Sequence, residues 1–192
     1  MFSKIFGKKE DNTMEVPMRR ENYQIPQVEF VFRENGEFVT RNSSEIFNNK
    51  RVVIFSLPGA FTPTCSAYQL PGFEEKYDDF EALGIDAIYC ISVNDGFVMN
   101  AWAKDQGIEK VQLIPDGNAY FTRSMGQLVR KSNLGFGERS WRYAAVVDNG
   151  IIEKLFEEPG RCDNAESDPY EETTPEKVYE YVRSKVREAV IA

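Results

Sequence analysis

Two nearly continuous apolar runs of strand length, Val52 to Leu57 and Ile85 to Val93, constrain this chain more than any other feature. A strand that reads apolar at almost every position, instead of alternating, is one covered on both faces. The stretch from about Thr64 to Leu83 separates the two runs and has helical spacing, with Pro71 inside it predicting a kink or break. Asp95 to Gln106 reads as a second helix, capped by Asn94 or Asp95, with Phe97, Val98, Ala101 and Trp102 on one side. Val111 to Ile114 reads as a short strand before the turn Pro115-Asp116-Gly117. Trp141 to Val147 and Ile151 to Phe156 flank Asp148-Asn149-Gly150, the strongest hairpin signal in the chain. Upstream, Gln27 to Phe32 alternates as a strand, and Phe38 to Thr40 returns after Glu34-Asn35-Gly36. The last helix starts at Thr174-Pro175 and runs to about Ala189. This order predicts an α/β fold, a mixed sheet with helices on both faces.

The expected organisation is an N-terminal extension, residues 1–24, followed by one domain, residues 25–192. Within the extension, Met1 to Lys9 interleaves lysines with Phe2, Ile5 and Phe6 and reads as a frayed, solvated tail, lacking the features of a secretory signal. The net charge of −8 argues against a nucleic-acid partner. No apolar run approaches the roughly 18 residues needed to cross a bilayer, so no membrane partner is expected. The chain contains no histidine, which excludes a Ser-His-Asp triad, a Cys-His dyad and a histidine-bearing zinc site within it. Its three cysteines, Cys65, Cys90 and Cys162, form no CxxC pair, and an odd count fits a reducing, cytoplasmic setting.

Cys65 carries the chemistry. It closes Pro58-Gly59-Ala60-Phe61-Thr62-Pro63-Thr64-Cys65, a loop from a buried strand into the first turn of a helix. Unpaired N–H groups and the helix dipole favour a thiolate there, and the thiolate is the nucleophile. The hydroxyl of Thr62 can turn toward the sulfur, donating to the thiolate and accepting from a substrate. With no histidine available, the remaining activator is an arginine, and Arg139 and Arg142 both stand near the start of a strand. The plainer reading makes Cys65 an inert thiol at a helix start.

The string P-x-x-x-T-x-x-C resembles the peroxiredoxin signature. Phe55 to Cys65, Leu70-Pro71, Ser92 to Trp102, Ile114 to Gly117 and Leu134 to Tyr143 resemble the atypical branch containing plant type II and bacterial glutaredoxin-fused enzymes. The resemblance implies a thioredoxin-like fold, reduction of hydrogen peroxide and alkyl hydroperoxides, and a homodimer packed around the active site. It makes Cys65 the peroxidatic cysteine, Thr62 its hydroxyl partner, Pro58 a shield and Arg142 the guanidinium beside the sulfur, with Arg139 more peripheral. Gln69 stands where many members have histidine, and no glutaredoxin module is expected here.

On this reading Thr62, the Cys65 amide and Arg142 hold the peroxide, and donors fixed at the leaving oxygen stabilise the transition state. The product is a sulfenic acid, formed without metal, flavin or nucleotide cofactor. The resolving thiol stays open between Cys90, in a buried strand, Cys162, in an acidic loop, and an external donor, either glutathione with glutaredoxin or thioredoxin. A thioredoxin-type disulfide reductase would need a cysteine where Thr62 stands. A peroxide sensor or chaperone with little turnover is the alternative function.

Overall fold

The computed structural model describes residues 21–191, so the readings made for Met1 to Lys9 lie outside the described residues. The chain begins with a hairpin, β1 (Glu29–Glu34) and β2 (Glu37–Asn42). Its turn residues Asn35 and Gly36 both have positive φ, 49° and 82°, the backbone that a two-residue type I′ turn requires. Helix α1 (Ser43–Phe47) follows, started by a reciprocal capping box between Asn42 and Glu45. Strand β3 (Arg51–Ser56) then crosses the molecule. Beyond it come a π-helical turn (Cys65–Gln69), α2 (Leu70–Glu75) and α3 (Tyr77–Ala82). The second half continues with β4 (Ala87–Ser92), α4 (Gly96–Asp105), β5 (Gln112–Pro115) and α5 (Tyr120–Ser124). A small ribbon of β6 (Leu128–Arg130) and β7 (Glu138–Ser140) precedes β8 (Tyr143–Asp148), β9 (Ile151–Glu157) and α6 (Pro175–Ile191).

Five strands form one mixed sheet in the order β5-β4-β3-β8-β9, with β3 parallel to β4 and antiparallel to β8. Alternate residues of β3 serve opposite faces, as strand geometry dictates. Val53 and Phe55 pack with Leu70, Phe73, Trp102, Val178 and Val182 on one face. Val52 and Ile54 pack with Phe30, Phe47 and Phe121 on the other. Phe55 stacks on Phe73 with ring centroids 4.2 Å apart; burying a side chain of this size contributes about 1.5–3 kcal/mol. The mixed sheet with helices on both faces is the architecture the sequence predicts.

Several local expectations need correction. The segment from 64 to 83 is not one helix: it winds as a π turn through Gln69, changes to α winding at Leu70, and breaks again at Lys76. Pro71 has no N–H to give and sits within the first two positions of α2, where none is required. Helix α4 buries Met99 and Trp102, whereas Phe97 is exposed and Ala101 also faces outward. Trp141 and Arg142 precede β8 without joining it. The short elements α1, α5, β6 and β7 carry too little periodicity to be read from sequence. Near the chain start, Asn22 and Ile25 donate to Ile152 and Gly150, so this stretch lies along β9.

Candidate active site

Register brings the site together. β3 pairs with β8 so that Ser56 lies opposite Tyr143. The loop leaving β3 therefore starts beside Arg142, although Cys65 and Arg142 are 77 residues apart. In that loop Phe61 takes a left-handed backbone, φ 63°, and its side chain is exposed. A bulky non-glycine residue there is strained and has to be held by its surroundings. Asn94 does part of the holding: its Oδ1 accepts from the Ala60 amide at 3.0 Å and from the Ser92 hydroxyl at 2.7 Å. Trp102 fixes the far end, its indole N–H donating to Ser66 Oγ at 3.0 Å.

Cys65 is fully buried. Arg142 Nη1 approaches its Sγ at 3.5 Å and also donates to Gln69 Oε1 at 2.5 Å. The other guanidinium nitrogens are occupied as well: Nη2 meets the Asp168 carboxylate at 2.6 Å and Nε donates to the Pro169 carbonyl at 3.1 Å. The Tyr170 ring lies 5.6 Å from the guanidinium carbon. Burial opposes the Arg142 charge, but Cys65 and Asp168 outweigh it and hold the group more firmly protonated than usual. The result is a buried thiol facing a fixed cation.

Pro58 is buried at the loop's start. The Thr62 hydroxyl donates to the Gly59 carbonyl at 2.7 Å, and not to the Cys65 sulfur as the sequence predicts, which leaves its oxygen lone pairs free to accept. Arg139 stands apart from the sulfur: its Nη1 donates to the Val93 carbonyl, and its Nε is buried with no partner among the described residues. Burial holds its pKa below the usual arginine value. The three thiols are all free. Cys90 is fully buried in β4 opposite Phe55. Burial, with the negative charge of Cys65 adding to it, pushes its thiol well above the ordinary range. Cys162 is exposed.

Sequence reasoning missed Gln69 as a partner of Arg142 and Asn94, read only as a helix cap, as a loop anchor, and it missed Asp168, Pro169 and Tyr170 altogether. One signal was available. Counting back through the Asn149-Gly150 hairpin, past a bulge at Val146/Val147, sets Glu157 opposite Tyr143. The acidic segment after Glu157 therefore has to start beside Arg142. A groove of about 380 Å³, lined by Val31, Phe38, Phe97 and Tyr120 among others, does not include Cys65.

The Redoxin family model matches residues 21–172. Peroxiredoxin y4vD of Sinorhizobium fredii is 61% identical over 170 residues, covering 84% of this chain and 90% of that protein. The crystal structure of the Plasmodium falciparum antioxidant protein, a 1-Cys peroxiredoxin, matches with a TM-score of 0.83 at 43% identity, over 86% of this chain and 99% of that one. Reduced Prx3 of Vibrio vulnificus in complex with hydrogen peroxide matches with a TM-score of 0.79 at 34% identity, again over 86% and 99%. The fold is thus the thioredoxin-like one that the motif implied. With the signature loop, the buried thiol and these likenesses together, the chain belongs to the peroxiredoxins of the Redoxin family, thiol-dependent peroxidases, in the branch that includes plant type II and hybrid enzymes.

Proposed function

We propose that Cys65 is the peroxidatic thiol and that Arg142 and Thr62 are its working partners. The observation that carries this is the Arg142 Nη1 to Cys65 Sγ approach of 3.5 Å between two buried side chains. The thiolate attacks the near oxygen of a hydroperoxide, an S–O bond forms, and the O–O bond breaks. The leaving oxygen takes the electron pair and then a proton, departing as water or an alcohol. Arg142 faces the reacting atoms and stabilises the charge on that oxygen; Thr62 accepts from the peroxide, and Pro58 shields the pocket. The substrates are hydrogen peroxide and alkyl hydroperoxides, and the Vibrio vulnificus protein solved with hydrogen peroxide supports the first. Cys65→Ser in a peroxide-consumption assay tests the assignment: activity is lost, whereas retention of the wild-type rate overturns it.

The cycle closes with an external thiol. Its sulfur condenses with the Cys65 sulfenic acid, releasing water, and a second thiol breaks the mixed disulfide. Cys90 is poorly suited to resolve because its thiolate is strongly disfavoured, and Cys162 sits on the exposed surface. Glutathione with glutaredoxin is the favoured donor over thioredoxin. One equivalent of peroxide followed by intact mass spectrometry decides: with glutathione present, Cys65 gains one glutathione. A quantitative internal disulfide would sink the reading and favour thioredoxin. Residues 25–192 form the working domain, in a cytoplasmic setting that keeps three thiols reduced; among the described residues no helix is long and apolar enough to cross a membrane. The functional unit is a homodimer. Phe38 and Phe97 pack edge to face at 6.0 Å while both stay exposed, beside exposed Val31 and Tyr120, an apolar patch suited to a partner. Light scattering should give twice the 22.0 kDa of one chain; a 22.0 kDa species at micromolar concentration removes the dimer.

A further inference from the structure

Glu158 is a carboxylate with 1% exposure in a chain whose other acidic groups mostly face water. Four donors converge on its Oε1: the backbone N–H groups of Glu171, Glu172 and Thr173 at 2.9, 2.8 and 2.8 Å, and the Thr173 hydroxyl at 2.9 Å. Its Oε2 is buried with no partner among the described residues. A buried carboxylate satisfied on one oxygen alone is a costly fastening, so what it fastens matters.

Its own backbone is tied to the site. The Glu158 N–H donates to the Arg142 carbonyl at 3.2 Å, and its carbonyl accepts from the Trp141 indole at 2.8 Å. The side chain therefore pulls the strap of residues 168–173 back onto the strand start that bears Arg142. One end of the strap reaches the guanidinium directly through Asp168, Pro169 and Tyr170. The other reaches it through Gln69, whose Nε2 lies 3.4 Å from Thr173 Oγ1 and whose Oε1 accepts from Arg142 Nη1. With Nε and Nη2 taken by the strap, Nη1 is the nitrogen left to face Cys65 and Gln69.

We infer that Glu158 is a positioning residue for peroxide reduction, aiming the Arg142 guanidinium at Cys65 by clamping the 168–173 strap. This rests on the proposed roles of Cys65 and Arg142. Glu158 touches neither sulfur nor substrate, and acts only through Arg142.

The test is a double-mutant cycle on the full chain, reading peroxide attack by competition with a haem peroxidase. Glu158→Ala should slow the attack about tenfold or more when Arg142 is present, as expected for a donor losing its preorganisation. In an Arg142→Ala background the same substitution should cost less than about twofold, because coupled residues are non-additive. Glu158→Gln keeps an acceptor oxygen and should stay within about threefold of wild type. A folded Glu158→Ala protein at the wild-type rate overturns the inference. So do equal losses in both backgrounds, which would mark general loosening. Should Glu158→Ala fail to fold by circular dichroism, Thr173→Val takes its place: a loss of about threefold that vanishes without Arg142 supports the clamp, and a wild-type rate refutes it. A wild-type rate for Arg142→Ala alone would instead strike the proposed function itself.

Discussion

Cys65 and Cys90 are both fully buried, and both belong to the same apolar cluster. One faces a guanidinium nitrogen at 3.5 Å that Gln69 also binds, and the other two nitrogens are tied to Asp168 and Pro169. The other sits in the middle of β4, flanked by β3 and β5, opposite Phe55 and Leu113. Taking a thiol out of water penalises its charged form, so burial by itself makes the group inert. Cys90 shows that penalty without compensation, and its thiol is pushed well above the usual range. Cys65 differs in having a fixed cation 3.5 Å away, whose attraction a low-dielectric site strengthens where water would screen it. The contrast locates reactivity in the partner of the thiol, and not in its depth.

The largest effect that tests this contrast is loss of each sulfur in turn. Cys65→Ser should reduce peroxide attack to background, while Cys90→Ser leaves the first oxidation step at the wild-type rate; stopped-flow oxidation of the two variants is the measurement. Equal losses would mean that depth alone governs both thiols. The next effect removes the partner. Arg142→Ala should slow attack by about 10²-fold, or roughly 2.7 kcal/mol, the size typical of losing one preorganised donor. Thr62→Val should lose about as much, and Thr62→Ser, which keeps the hydroxyl, far less. Arg139→Ala should fall well short of Arg142→Ala, since Arg139 donates to Val93 and not to the sulfur. A larger loss at Arg139 would reverse the assignment of the two arginines.

The same two regions differ in how far the sequence reveals them. Pro58, Thr62 and Cys65 lie within eight residues, so the loop's chemistry could be read locally. The apolar runs around Phe55 and Cys90 revealed the two central strands for the same reason, since burial on both faces leaves a direct compositional mark. Arg142 is 77 residues from Cys65, and only the resemblance separated it from Arg139. The strap carries no such mark. Asp168 and Glu158 look like their acidic neighbours, and what distinguishes them is a register, Tyr143 against Glu157, that a bulge offsets. Size and apolarity put Phe97 on the inner face of α4 in the sequence, yet in the fold it packs on exposed Phe38 while Met99 and Trp102 fill the core. The resemblance marks Gln69 only as the place where many members have histidine. In the fold its amide does what no charged side chain would do as well beside Arg142, accepting from the guanidinium without adding a second charge.

The smallest effect is thermodynamic and belongs to Cys90 alone. Its thiol ionises far less readily when folded than the ordinary value of 9.0, because burial disfavours the thiolate and the Cys65 charge adds to that. Between the unfolded and folded values the native state binds more protons at this site than the unfolded chain does. Stability therefore falls as pH rises through that window, and the site's contribution is fully present below it. The steepest slope one such group can impose is about 1.4 kcal/mol per pH unit. Cys90→Ala removes the titration, though it opens a small void and lowers stability at neutral pH. Urea unfolding at pH 8 and at pH 10 should then show the wild type losing more stability than the variant, by about 1 kcal/mol. The other titrating groups are common to both proteins and cancel in the difference. Parallel losses in the two proteins would mean that Cys90 ionises as easily folded as unfolded, and the contrast with Cys65 would lose its basis.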